Sequence, residues 1–200
     1  MRVTTWAAVM IAMGCWATAG VADAFDGEQE FAKGTTIVGV AINGGVQTNI
    51  QGEPETSGIT FIGLQPRLSY LPFEPFGASW YRAALEPGLE GWFQYYVHPQ
   101  HAGAAGLKAA LRLHAIGFGP IVPYVEGLGG AGGTGLDLRE SRSTFTFILE
   151  AGTGASIFVA PGVAVNVGYR LQHVSNGNTS RPNRGYNAHT GLVGVSFFFH

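Results

Sequence analysis

The sequence predicts an all-β fold, an eight-stranded antiparallel transmembrane β-barrel of the bacterial outer membrane. Three observations carry this expectation. The chain opens on an export signal, it is hydrophobic and poor in charge without a later stretch long enough for a spanning helix, and it divides into about eight segments of strand composition.

The export signal comes first. Arg2 is the only positive charge ahead of an apolar stretch running from Val3 to Val21, and Ala22-Asp23-Ala24 supplies a small-x-small cleavage site. This divides the chain into a signal peptide, 1–24, and one barrel domain, 25–200. Thr4, Thr5, Gly14, Thr18 and Gly20 make the stretch a weak permanent anchor, and Ala12-Met13-Gly14 lacks the aliphatic residue that a lipoprotein signal places ahead of its cysteine. Cys15 is the only cysteine and falls within the signal, so the mature chain has no disulfide framework and no thiolate metal site.

Composition then narrows the class. Hydrophobic residues make up 46% of the 200 residues and charged residues 12%, about half the usual charged share. The net charge is −2 and there is no basic run, which argues against a nucleic-acid partner. In lipid, only helices and closed barrels satisfy every backbone polar group internally. Composition alone leaves a soluble periplasmic sandwich open. The eight segments, near 35–43, 59–71, 83–97, 106–117, 122–130, 144–159, 163–175 and 186–199, favour the barrel, because several are long enough to cross an outer membrane as tilted strands.

The connections alternate in character. Gly117-Phe118-Gly119-Pro120 and Ala160-Pro161-Gly162 read as periplasmic turns, whereas 43–58, 130–143 and 176–185 read as longer, polar extracellular loops, with 99–103 a modest one. The exception is 72–82, long where a turn is expected; its Phe73, Phe76, Trp80 and Tyr81 suit an aromatic girdle. The last strand alternates Val193, Val195, Phe197 and Phe199 with their neighbours, and the chain ends one residue past the usual terminal Phe, on His200. An eight-stranded barrel is packed with its own side chains, so it is no general pore, and function must lie on loops, rim or outer wall.

Alternation along the last two segments locates candidate chemistry. Asn166, Arg170 and Gln172 share a face that suits a polar interior, so Val163, Val165, Val167, Tyr169, Leu171, His173 and Ser175 face lipid. Counting back from Phe199 by twos puts His189 and Asn187 on the outer face as well. His173, Ser175 and Asn187 therefore converge on one outward patch near the rim. A His and a Ser two residues apart on a strand, roughly 7 Å between Cα atoms, suit a general base and its hydroxyl. Polar groups facing lipid are costly unless partnered or functional. Isolated His-x-Ser pairs are also common, and these two suit the headgroup zone without any catalytic role. The six histidines are scattered without recognisable metal-ligand spacing, and neither a metal nor another cofactor is expected.

The stretch His173-Val174-Ser175-Asn176-Gly177, followed by Arg181-Pro182-Asn183-Arg184-Gly185, resembles the lipid A 3-O-deacylase (PagL) family, which carries an H-x-S-N segment and then a Pro-Asn-x-Gly segment before its last strand. The match covers about 25 residues; Pro123-Tyr124-Val125-Glu126 also looks like the family's fifth strand. The resemblance implies an outer-membrane serine esterase that removes the 3-hydroxyacyl chain ester-linked at position 3 of lipid A. Ser175 would be its nucleophile and His173 its base, with Asn183 and backbone N–H groups around Asn176 and Gly177 stabilising the oxyanion. It implies lipid A or lipopolysaccharide as partner and admits a homodimer. One position departs from the pattern: known members have Glu where this chain has Asn187, four residues after Asn183. Glu126 and Glu150 are poor substitutes, since Glu126 is placed to pair internally with Arg112 or Arg170. Two other readings fit the same sequence: a non-enzymatic small barrel, and an outer-membrane esterase acting on phospholipid.

Overall fold

The computed structural model describes residues 25–48, 57–137, 143–181 and 185–200. The signal peptide expected over 1–24, and Asn183 with its neighbours Pro182 and Arg184, lie outside the described residues. Eight strands, β1 (Thr36–Thr48), β2 (Thr60–Tyr70), β3 (Ala83–His98), β4 (Ala102–Ala115), β5 (Ile121–Thr134), β6 (Phe145–Ala160), β7 (Val163–Ser175) and β8 (Tyr186–Phe199), pair in sequence order into a closed antiparallel barrel. β8 closes on β1 from Thr36↔Phe199 to Thr48↔Asn187.

Three strands differ from the segments expected from sequence, and glycine explains two of them. β1 runs on through Gly44 and Gly45 to Thr48 instead of ending at residue 43, because Gly45 accommodates the Phe61 ring rather than turning the chain. β5 runs on to Thr134, since Gly130 and Gly132 lie against the backbone of β4 too closely for a Cβ. β4 begins at Ala102, earlier than expected, and ends at Ala115, where a 3-10 turn at Ile116–Phe118 takes over. The long connection after β2 folds back on itself through the Phe76–Ala83 bridge and a 3-10 turn at Ser79–Tyr81, exposing Phe73, Phe76, Trp80 and Tyr81 at the periplasmic rim.

The barrel is apolar outside and polar within. Val38, Val40, Ile42, Ile62, Leu64, Leu68, Leu107, Leu111, Leu149 and Val193 are exposed on the wall, the pattern of a lipid-facing band. Inside, four cations (Arg67, Lys108, Arg112, Arg170) meet four carboxylates (Glu86, Glu90, Glu126, Glu150), all buried. Arg170 alone reaches Glu126 at 2.7 Å, Glu90 at 2.7 Å and Glu150 at 3.2 Å. Glu126 also binds Arg112 and Arg67, so the internal pairing expected for it is present, with a third partner. Apolar layers seal both ends of this ionic layer. Toward the extracellular end lie Ile59, Phe61, Trp92, Tyr96, Ile148 and Tyr186, and toward the periplasm Phe31, Ile37, Leu71, Val122, Phe158 and Phe198.

Phe31 belongs to a plug, ahead of β1, that strand composition does not reveal. A short helix, α1 (Gly27–Glu30), is capped by Asp26, whose carboxylate accepts from the Glu28 and Gln29 N–H groups. The buried Glu30 accepts from the Gly162 N–H at 2.9 Å. His200, directly after β8, is part of the same closure: its Nδ1 lies 3.0 Å from the Thr35 hydroxyl.

Candidate active site

The candidate site is built where β7 and β8 leave the membrane band. The even residues of β7, Asn166, Arg170, Gln172 and Val174, are buried, while Val167 and Tyr169 are exposed and His173 and Ser175 half-buried on the outer wall. Asn166 shows how firmly the inner face is held: it accepts from the Ser156 hydroxyl at 2.7 Å and donates to Ser196 Oγ at 2.8 Å. A slip of one residue would move this entire polar set into lipid. The inward groups therefore fix the outward direction of His173 and Ser175.

Register brings Asn187 to the same place. His173 and Asn187 are direct cross-strand partners, and His173 Nδ1 lies 2.9 Å from Asn187 Oδ1. An amide oxygen can only accept, so Nδ1 carries a proton, and it is Nε2 of the neutral ring that offers the lone pair a general base requires. On the β6 side, Leu149 and Phe147 stand opposite His173 and Ser175 and give the site apolar walls.

Ser175 is the last residue of β7 and shares this outer face. Its carbonyl is held by the Thr146 hydroxyl at 3.1 Å. Among the described residues no hydrogen bond joins the Ser175 hydroxyl to His173; the two side chains meet instead around Gly185. A Cβ at position 185 would lie 3.1 Å from Ser175 Cβ, 3.2 Å from His173 Cε1 and 2.6 Å from the Val174 carbonyl oxygen. Gly185 also has φ +66°, a conformation that favours glycine for a second reason. The Pro-Asn-x-Gly segment thus ends on a residue whose lack of a side chain lets its backbone pack directly against the His-Ser pair.

The loop after Ser175 is organised by Asn176. This side chain is buried, donates to the Ser180 carbonyl at 2.9 Å and accepts from the Asn178 N–H at 3.0 Å. It therefore shapes the loop. Gly177, at φ +61°, lies against the Phe147 ring.

One outward polar contact was not anticipated. Tyr169 shares a short hydrogen bond with His189 Nδ1 on the lipid face, below His173. Outward parity was legible for both residues, but a diagonal cross-strand bond has no signature in the spacing.

A closed eight-stranded barrel with an apolar exterior, a sealed ionic interior and a polar cluster on its outer wall is an outer-membrane barrel whose candidate site faces the lipid. Its family is likewise defined: residues 65–196 match the lipid A 3-O-deacylase (PagL) family, and the chain belongs to it. The fold resembles the crystal structure of the outer membrane enzyme PagL, at 17% identity and a TM-score of 0.55, covering 79% of this chain and 97% of that one. It resembles Neisserial surface protein A equally well, at 18% identity and a TM-score of 0.54, covering 84% of this chain and 100% of that one. No curated protein matches this chain.

Proposed function

We propose that the protein is a serine esterase that removes the 3-hydroxyacyl chain from position 3 of lipid A. Ser175 Oγ attacks the ester carbonyl while His173 Nε2 takes its proton, and Asn187 holds the imidazole tautomer through Nδ1. Backbone N–H groups around Asn176 and Gly177, together with Asn183, stabilise the oxyanion. The tetrahedral intermediate collapses as His173 returns the proton to the departing sugar oxygen. Water, activated by the same imidazole, then hydrolyses the acyl-serine to release a 3-hydroxy fatty acid and regenerate the Ser175 hydroxyl. The observation that carries this reading is the 2.9 Å contact between His173 and Asn187 on the wall that meets lipid, two residues from Ser175. In apo enzymes a nucleophile and its base are often further apart than in the substrate complex, so a Ser175–His173 bond that forms on binding is consistent with this geometry.

Mass spectrometry of lipids from cells with and without the protein tests the proposal. Loss of one 3-hydroxyacyl chain from lipid A, abolished by Ser175→Ala while the heat-modifiable barrel still forms, is the expected result. Lysophospholipid instead would assign the site to phospholipid, and unchanged lipids would favour a barrel without enzymatic activity.

A further inference from the structure

Below His173 the outer wall carries a second polar pair. Register sets Leu171 opposite His189 and Tyr169 opposite Gly191, and the Tyr169 hydroxyl reaches diagonally to His189 Nδ1. Both side chains are exposed on the wall, among Val167, Leu171 and Val193. The phenol occupies Nδ1, and among the described residues nothing partners His189 Nε2. Polar groups on a lipid-facing wall are retained at a cost unless they have a partner or a task.

Beneath His189 the wall is notched by two glycines. Gly191 pairs with Gly44 of β1, and both lie on the outer face. A Cβ at Gly191 would meet nothing within 4 Å, and one at Gly44 would meet only the Phe61 carbonyl oxygen at 3.7 Å. Gly44 pairs in turn with Ile62, which together with Ile42, Leu64, Phe93 and Tyr95 lines a hollow of about 540 Å³ on the outer wall. An apolar path therefore starts at His173 and Ser175, passes His189, crosses the Gly191–Gly44 notch and continues into this hollow.

We propose that His189, supported by Tyr169, binds the hydroxyl of the 3-hydroxyacyl chain, and that the rest of that chain lies across the Gly191–Gly44 notch. The inference rests on the esterase reading above. His173 is paired with Asn187, so His173 and His189 are diagonal neighbours, roughly 7–8 Å apart and both able to reach a group lodged between them. In a 3-hydroxyacyl ester one methylene carbon separates the carbonyl from the hydroxyl-bearing carbon. With the carbonyl beside His173 and Ser175, the hydroxyl falls toward His189 Nε2 and gives that nitrogen its missing partner. A chain without the hydroxyl leaves Nε2 unpaired in an apolar setting, which turns the pair into a specificity device. His189 binds the substrate hydroxyl directly and Tyr169 is a positioning residue that acts through it; neither touches the bond that breaks.

The test uses the whole barrel in detergent-lipid mixtures and two synthetic glucosamine lipids, identical except that the 3-O-linked chain carries or lacks its hydroxyl. The wild-type kcat/KM ratio is expected to favour the hydroxylated lipid about tenfold, the worth of one good hydrogen bond. His189→Phe should bring the ratio close to one, and Tyr169→Phe should lower it part of the way. A purely structural role would reduce both substrates alike and keep the ratio. A wild-type ratio near one, or a full ratio in His189→Phe, overturns the proposal. Binding of the same two lipids to Ser175→Ala supplies a readout independent of turnover: preference for the hydroxylated lipid, lost on adding His189→Phe, supports the inference, and equal binding overturns it. If Ser175→Ala still cleaves, or wild type cleaves neither lipid, the esterase assignment fails, and this binding comparison alone decides the role of His189.

Discussion

His173 and Asn187 face each other across β7 and β8, with the imidazole Nδ1 2.9 Å from the amide oxygen. The contact fixes which ring nitrogen carries the proton, but a neutral amide supplies no charge to the imidazolium that forms when Ser175 is deprotonated. Asn187→Ala should therefore lower fatty-acid release by about tenfold or more, the size expected when a catalytic imidazole loses its orienting partner. Asn187→Glu should leave activity unchanged or raise it, since a carboxylate both orients and stabilises. Both are read as 3-hydroxy fatty acid released from lipid A, and total loss in Asn187→Glu would contradict the orienting role.

Gly185 makes a separate prediction about space. Its φ of +66° and its approach to Val174, Ser175 and His173 leave no room for a methyl group. Gly185→Ala should displace the Ser175 and His173 side chains and reduce activity by at least tenfold, with a backbone strain of about 1–2 kcal/mol confined to the loop. The barrel itself should keep its heat-modifiable migration. Wild-type turnover in this variant would mean that the pair does not need the geometry seen beside Gly185.

Much of this arrangement was legible in the chain because strand parity is a strict two-residue period and the two faces of β7 differ sharply in polarity. Arg170, Gln172 and Asn166 could only point inward, which turned His173 and Ser175 outward, and Val193 through Phe199 did the same for Asn187. Partners inside the lumen were less legible. Parity marks Arg170 as internal but cannot choose among Glu90, Glu126 and Glu150, which arrive from three other strands. Glycine misled at the ends of β1 and β5, where it permits close approach and not a turn. The plug around Phe31 carries no periodic signal, because four helical residues are too few to show one.

The ionic layer predicts a large stability effect without a change at the site. Arg170→Met removes the cation shared by three carboxylates and leaves buried negative charge uncompensated. It should cost about 3–5 kcal/mol, seen as a lower urea midpoint for barrel unfolding. Adding Glu90→Gln should recover part of the loss, because Glu90 makes the bidentate contact with Arg170, at 2.7 and 3.0 Å. Equal loss in the single and double variants would show that the two residues do not act as a pair.

The periplasmic plug responds both to packing and to pH. Phe31 is fully buried, with its ring 4.6 Å from that of His114 and 5.4 Å from that of Phe198, so Phe31→Ala should destabilise the barrel by about 3–5 kcal/mol. The same segment is tied to the periplasmic rim by Glu28, whose two carboxylate oxygens accept from Arg82 Nε and Nη2 at 2.6 Å each. Those bonds hold the Glu28 carboxyl below its ordinary range and raise Arg82 above its own. A carboxyl whose folded value is depressed contributes above its unfolded range and loses that contribution as pH falls through the folded value. Docking of 25–35 should therefore weaken in acid, seen as lower amide-exchange protection factors, corrected for the intrinsic rate at each pH, at Glu30 and Phe31. Because the pair is largely exposed, the change should be small and should shrink in high salt. Glu28→Gln should remove this pH-dependent part while leaving the Phe31 packing in place, and an unchanged acid response in that variant would assign the response to another group.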